Sequence, residues 1–205
     1  MLLRDLEKMT TAITKERWDQ AQEEELRLSS IDINPRYYEK MYFTMAKLMN
    51  INFDTDFVGK SIIEIGPGPL GVTLLTENFS SAMIVEPLIH RWGQEYVDCY
   101  NEKNIKIETT PYEDLEIEEE VDETWFFNVL QHVIDPEEQL KKAKRTSKVV
   151  RIFEPINYPV ELAHPHLLTQ ELFTNIFGKE FGTLYKGGSI ADFHTADCYY
   201  GTWVK

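Results

Sequence analysis

Ser61-Ile62-Ile63-Glu64-Ile65-Gly66-Pro67-Gly68-Pro69-Leu70-Gly71 runs a short β-forming segment directly into a Gly-x-Gly-x-x-Gly turn. The apolar, β-branched residues read as a strand, and the glycines allow a tight turn and a close approach of a ligand to the backbone. A helix is expected behind the turn, over about 70–78. Alone the glycine pattern is a weak signal. It gains weight from Ala82-Met83-Ile84-Val85, a second strand that ends at Glu86-Pro87, twenty residues beyond Gly66. A carboxylate at that place can accept hydrogen bonds from ribose hydroxyls, so the pair points to a nucleoside-containing ligand. Equally, Glu86 can serve as a capping acid ahead of Pro87.

Outward from this turn, strands and helices alternate. A helix is expected over about 88–100, a third strand at Ile105–Glu108 and a fourth at Glu123–Phe127. Asp135-Pro136-Glu137-Glu138 opens a helix, with Asp135 as cap, Pro136 at the first position and Glu138 completing a capping box. Lys148–Phe153 is a fifth strand, and a helix over about 170–177 stops at Gly178. Two last strands, about 181–186 and 197–204, are joined by a loop that begins at Gly187-Gly188. That connection is too short for a crossover helix, so the two are antiparallel. The pattern predicts an α/β, Rossmann-like, seven-stranded and mostly parallel sheet with an antiparallel last strand and helices on both faces.

Residues 1–58 differ in style, since the first glycine is Gly59. They read as an N-terminal helical extension, and residues 59–205 as the ligand-binding domain. A mostly polar helix is expected over about 4–28. A second helix begins with Asn34 as cap and Pro35, and carries Tyr38, Met41, Tyr42, Met45, Leu48 and Met49 on one face. That face either packs on the domain or forms a lid, with Tyr37 or Tyr38 toward a ligand.

The chain of 205 residues has a formal net charge of -14 and is 42% hydrophobic, which excludes wholesale disorder. No Lys or Arg occurs between Ile107 and Leu140. Glu116 to Glu123 reads as a solvated loop, or else as a face attractive to cations. Phosphate backbones are gripped by Lys and Arg, so a nucleic-acid substrate is disfavoured. Cys99 and Cys198 read as free thiols in a reducing, cytoplasmic setting. The charged N-terminus is unlike a signal peptide, and no apolar run approaches the roughly 20 residues of a membrane span.

Ile62-Ile63-Glu64-Ile65-Gly66-Pro67-Gly68 resembles the first motif of class I S-adenosylmethionine-dependent methyltransferases. Asp122 to Pro136, with Trp125-Phe126-Phe127-Asn128 at its centre, is similar to the family's fourth-strand block, and Lys148 to Pro155 to its fifth strand. The resemblance spans about 59–205 and includes the antiparallel end. It departs at the turn, where Leu70 stands in the place of the third glycine and Gly71 follows. The resemblance implies S-adenosylmethionine as cofactor. Glu64 and the Gly66-Pro67-Gly68 and Gly71 backbone would hold its amino-acid end, Glu86 and Pro87 the ribose, and Glu113 or Asp114 with Tyr112 the adenine. The Asn128 carbonyl would lie near the methionine part.

Methyl transfer is an in-line displacement that needs alignment above all, and a base where the acceptor must lose a proton. His132, after the fourth strand, and Glu154, at the end of the fifth, are the candidate bases; each can also be a purely structural group. His164-Pro165-His166 makes a poor zinc set, so no metal is expected, and these residues are assigned to the acceptor pocket or to a helix cap. The acceptor is expected to be a small molecule ahead of a protein side chain. An NAD-dependent oxidoreductase and a non-catalytic methyltransferase-like binding module remain the alternatives, and the oligomeric state stays open.

Overall fold

The computed structural model describes residues 12–29, 34–186 and 196–205. The expected helical residues 4–11, the Gly187-Gly188 turn and the loop 189–195 lie outside them. The described chain runs α1 (Lys15–Ser29), α2 (Pro35–Met49), β1 (Ser61–Ile65), β2 (Ser81–Val85), α3 (Ile89–Trp92), α4 (Gln94–Glu102), β3 (Lys106–Glu108), β4 (Val121–Phe127), α5 (Pro136–Thr146), β5 (Ser147–Ile156), α6 (Gln170–Phe177), β6 (Thr183–Tyr185) and β7 (Asp197–Val204). The sheet order is β3-β2-β1-β4-β5-β7-β6. β1 pairs in parallel with both β2 and β4, and β7 lies antiparallel to β5 and β6. The chain therefore winds outward in both directions from the β1/β4 pair, and ligands of such sheets settle in the crevice at that switch point.

Burial follows from the sequence. The inner strands are covered on both faces and read as apolar runs rather than alternating ones. One core layer gathers Met41, Met45, Phe57, Trp125 and Tyr100 against α2 and α4; the other gathers Phe126, Leu130, Leu140, Ile152 and Phe173 against α5 and α6. The cap at Asn34 accepts a hydrogen bond from the Arg36 amide at 3.1 Å, and Pro35 occupies the first turn of α2.

Several expectations need correction. The helix over 70–78 is only a 3-10 turn, Val72–Leu75, closed by the Thr76 hydroxyl on the Thr73 carbonyl at 2.9 Å. The helix over 88–100 is broken at Gly93, whose φ of 149° no side-chain-bearing residue adopts comfortably. At α5, Asp135 takes the amides of Glu137 and Glu138, each at 3.1 Å, as the cap expected there, and Glu138 pairs with Arg145 at 2.9 Å.

Nor is the acidic run solvated throughout. Glu118 to Glu120 are exposed, but Asp122 and Glu123 belong to β4. Glu123 is fully buried between Lys60 at 2.6 Å and Arg151 at 2.6 Å, and it accepts from the Trp125 indole at 2.8 Å. Burial pushes its carboxyl up. The Arg151, Lys60 and Trp125 bonds outweigh that, so it stays below the ordinary glutamate value. Removing one member of such a buried set strands the others without a countercharge. Glu123→Ala is expected to lower unfolding stability in urea by about 3 kcal/mol, and a loss below about 1 kcal/mol would contradict the assignment.

Candidate functional site

β1 ends in a loop whose shape three glycines control in three ways. Gly66 has φ 56°, and a Cβ there would lie 2.0 Å from Val129 Cγ2. A Cβ on Gly71 would meet Pro67 Cβ at 2.5 Å and Glu64 Oε2 at 2.6 Å. Gly68, at φ 67°, has open space where its Cβ would be. Gly66 and Gly71 thus serve packing inside the protein, and Gly68 leaves room on the side where a ligand can approach.

That room belongs to a cavity of about 390 Å³ at the carboxyl ends of β1, β2 and β4. The size falls within the range of small-molecule sites. Of the candidate residues, Gly66, Pro67, Gly68, Glu86, Pro87, Tyr112, Glu113, Asn128 and His132 line it. At its rim, Glu86 Oε2 accepts the Gly68 amide at 3.0 Å, and Oε1 accepts the Leu88 amide at 2.9 Å. The same carboxylate thus caps its own turn and ties β2 to the glycine loop. Burial pushes its pKa up to about 7 despite those two bonds. Asn128 holds a left-handed backbone with φ 60°. Its side-chain oxygen, like Gln139 Oε1 beside it in the lining, is buried without a hydrogen-bond partner in the structure. Glu113 Oε1 takes the Ile134 amide at 2.8 Å, and the Tyr112 ring packs edge-on to Phe126.

Three candidates lie elsewhere. Glu64 is beneath the loop, with Oε1 on the Val72 amide at 2.7 Å and Oε2 on the Thr73 amide at 2.8 Å. Gly71 gives its amide to the Tyr100 hydroxyl at 2.7 Å. Glu154, offered as a base, is completely buried, outside the cavity lining. Its Oε1 accepts the Val129 and Leu130 amides at 3.0 and 3.2 Å, and burial pushes its pKa up to about 8. The turn after β4 needs an acceptor for two inward-facing amides, and Glu154 supplies it. It touches no space a substrate enters, so its role as a base is withdrawn.

His132 does face the cavity. Its Nδ1 lies 3.1 Å from the Ala163 carbonyl, a bracing contact, and its ring sits 4.7 Å from that of His164. Glu25, which the sequence reading passed over, has Oε2 3.8 Å from His132 Nδ1. Ligand atoms of Glu25, His132 and His164 all come within 4.8 Å of one another. His166, by contrast, is buried on the Val133 carbonyl at 2.7 Å. The helix α1 brings Trp18, Gln22 and Glu25 to the lining, and α2 brings Tyr37, Tyr38, Met41 and Tyr42. Trp18, Gln22 and Glu25 stand at steps of four and three, one helix face, which is the signal that would have singled them out. Gln22 Nε2 donates to the His132 carbonyl at 3.1 Å, and the Tyr42 hydroxyl to the Leu70 carbonyl at 2.7 Å, fastening both helices to the loops of the sheet.

No protein-family model and no curated protein sequence matches the chain. Solved structures do. An N-methyltransferase, NodS, from Bradyrhizobium japonicum in complex with S-adenosyl-L-homocysteine superimposes with TM-score 0.58 at 12% identity, over 89% of this chain and 97% of that one. Phosphoethanolamine N-methyltransferase 1 of Haemonchus contortus gives 0.63 at 10% identity, over 94% of this chain and 50% of that one. The Burkholderia thailandensis 1,6-didemethyltoxoflavin-N1-methyltransferase gives 0.61 at 10% identity, over 94% and 91%. The chain has the class I methyltransferase fold, as its sheet order and antiparallel end require.

The glycines separate packing from ligand approach. Gly66→Ala is expected to unfold at markedly lower temperature, because its methyl overlaps Val129. Gly68→Ala meets no atom and carries only the left-handed backbone strain of about 1–2 kcal/mol, so it should stay folded. Thermal melts that rank the two variants in the opposite order would contradict this division.

Proposed function

We propose that this protein is an S-adenosylmethionine-dependent methyltransferase acting on a small molecule. The observation that carries the reading is the junction of Gly68 and Glu86, an amide and a carboxylate 3.0 Å apart at the switch point of the sheet, with open space over Gly68. The residues present fit the group. The cradle over Gly68 has room for it, and the unpartnered oxygens of Asn128 and Gln139 are acceptors for donors of a ligand. The solved neighbours in complex with S-adenosylhomocysteine support the same identification.

When bound, S-adenosylmethionine supplies an electrophilic methyl group on a sulfonium. The work of this chain is then placement. Glu86 would accept the ribose hydroxyls on the remaining lone pairs of its carboxylate, with Pro87 beside it, and Tyr112 and Glu113 would border the adenine. The Gly66–Gly68 backbone and Asn128 border the amino-acid end. Glu64 acts one layer down, fixing the loop through Val72 and Thr73 rather than touching the cofactor. His132 is the candidate base at the acceptor side. Helices α1 and α2 contribute walls over the crevice, and the free cysteines accord with a reducing setting.

The ionised form of Glu86 is the better acceptor for hydroxyl donors. With its pKa at about 7, binding of S-adenosylhomocysteine should tighten as pH rises from 6 to 8 and level off above that. Calorimetric titrations across this range check it, and Glu86→Gln should give a weaker, flatter profile. Stabilisation by NAD with none by S-adenosylhomocysteine would favour an oxidoreductase. Binding without release of S-adenosylhomocysteine in the presence of any acceptor would leave a non-catalytic module.

A further inference from the structure

We infer that the acceptor taken by this cavity is an amine, recognised through its positive charge, and not a phosphate or carboxylate compound. The inference rests on the methyltransferase reading and names the substrate class of the same site. Among the described residues lining the cavity there are three carboxylates, Glu25, Glu86 and Glu113, and no Lys or Arg. An anionic acceptor would enter a field of its own sign with nothing to pair with, whereas anion sites are built from Arg, Lys or free backbone amides.

Of the arginines on bordering elements, Arg36 lines a separate surface groove with Glu39 and Lys40, and two others are committed elsewhere. Arg17 holds the carbonyls of Glu161 and Leu162 at 2.7 and 2.8 Å, and Arg91 holds Glu23 at 3.0 Å. Glu86 and Glu113 are engaged on main-chain amides, at the cofactor side. Glu25 stands beside His132 and His164, in the same lining as Tyr37 and Tyr38, while the Trp18 ring already carries the Lys15 ammonium 4.0 Å from its centre. A carboxylate with aromatic faces is a cation receptor, since rings and carboxylate attract an ammonium together. Burial raises the Glu25 pKa, and the neighbouring His164 lowers it; an arriving cation acts in the same direction as His164.

The chemistry closes on these residues. An alkyl amine reaches the cavity as its ammonium and must lose a proton before its nitrogen can attack. His132, in the cavity lining, is the candidate acceptor of that proton. The freed nitrogen lone pair forms the bond to the methyl carbon as the carbon–sulfur bond breaks. Its electron pair goes to sulfur, which becomes a neutral thioether, and the positive charge passes to the methylated nitrogen. Proton loss from His132 to solvent restores the site.

The test is calorimetry on the full chain, treated with EDTA and saturated with S-adenosylhomocysteine. The probes are benzylamine, benzyl alcohol and phenyl phosphate. Benzylamine should bind about tenfold or more tightly than either of the others, the span expected for one charge-assisted contact. Glu25→Gln should remove the advantage over benzyl alcohol while S-adenosylhomocysteine still binds. Equal binding of amine and alcohol, tighter binding of phenyl phosphate, no uptake of benzylamine, or an advantage that survives in Glu25→Gln overturns the inference. Failure of S-adenosylhomocysteine itself to bind is read in the first titration and overturns the methyltransferase reading on which it rests.

Discussion

Three buried carboxylates, each gripped by two main-chain amides, hold the functional end of this sheet in shape. Glu64 near the end of β1 binds Val72 and Thr73, Glu86 just beyond β2 binds Gly68 and Leu88, and Glu154 near the end of β5 binds Val129 and Leu130. Where strands leave the sheet, the chain turns sharply and exposes amides inward that no ladder satisfies. A carboxylate answers two of them at once with charge-assisted bonds. The same burial that makes these bonds strong raises the pKa of all three acids. Loop shape and local charge are thereby one property, and the cavity inherits both.

The division of labour among the three follows from depth. Glu64 and Glu154 are covered by the loops they hold, so they shape the cavity without lining it. Glu86 reaches the lining beside Gly68, where a Cβ would find open space. The helices α1 and α2 then complete the walls, tied down through Gln22 and Tyr42. Their contribution is largely aromatic, with the one carboxylate of Glu25, which sets that wall apart from the glycine loop.

Much of this was legible in the chain. The succession of strands along the chain, the antiparallel end and the meeting of Gly68 with Glu86 follow from apolar runs, glycine spacing, the short last connection and the acid at the end of the second strand, while the order of strands in the sheet agrees with the family resemblance. What escaped the sequence is which way a side chain points and what it meets. Glu64 and Glu154 stand at strand ends, as active-site acids do, but their oxygens turn to local amides. The helix expected after the glycine turn is a single turn, Val72–Leu75, and Glu64 takes its first two amides from below. Glu123 looked like part of a solvated acidic run, yet Lys60 and Arg151, 63 and 28 residues away, convert it into a buried ion cluster. Glu25 meets His132 across more than a hundred residues, a contact that no local pattern encodes.

The amide of Gly68 is the most direct witness to the account. Nuclear magnetic resonance of isotope-labelled protein titrated with S-adenosylhomocysteine follows that amide, with those of Gly66 and Leu88. Ligand entering the rim must alter the bond between Gly68 and Glu86, so these three signals should shift together and saturate with the ligand. Saturating shifts confined to residues outside the β1/β4 crevice, with Gly68 and Leu88 unmoved, would contradict it.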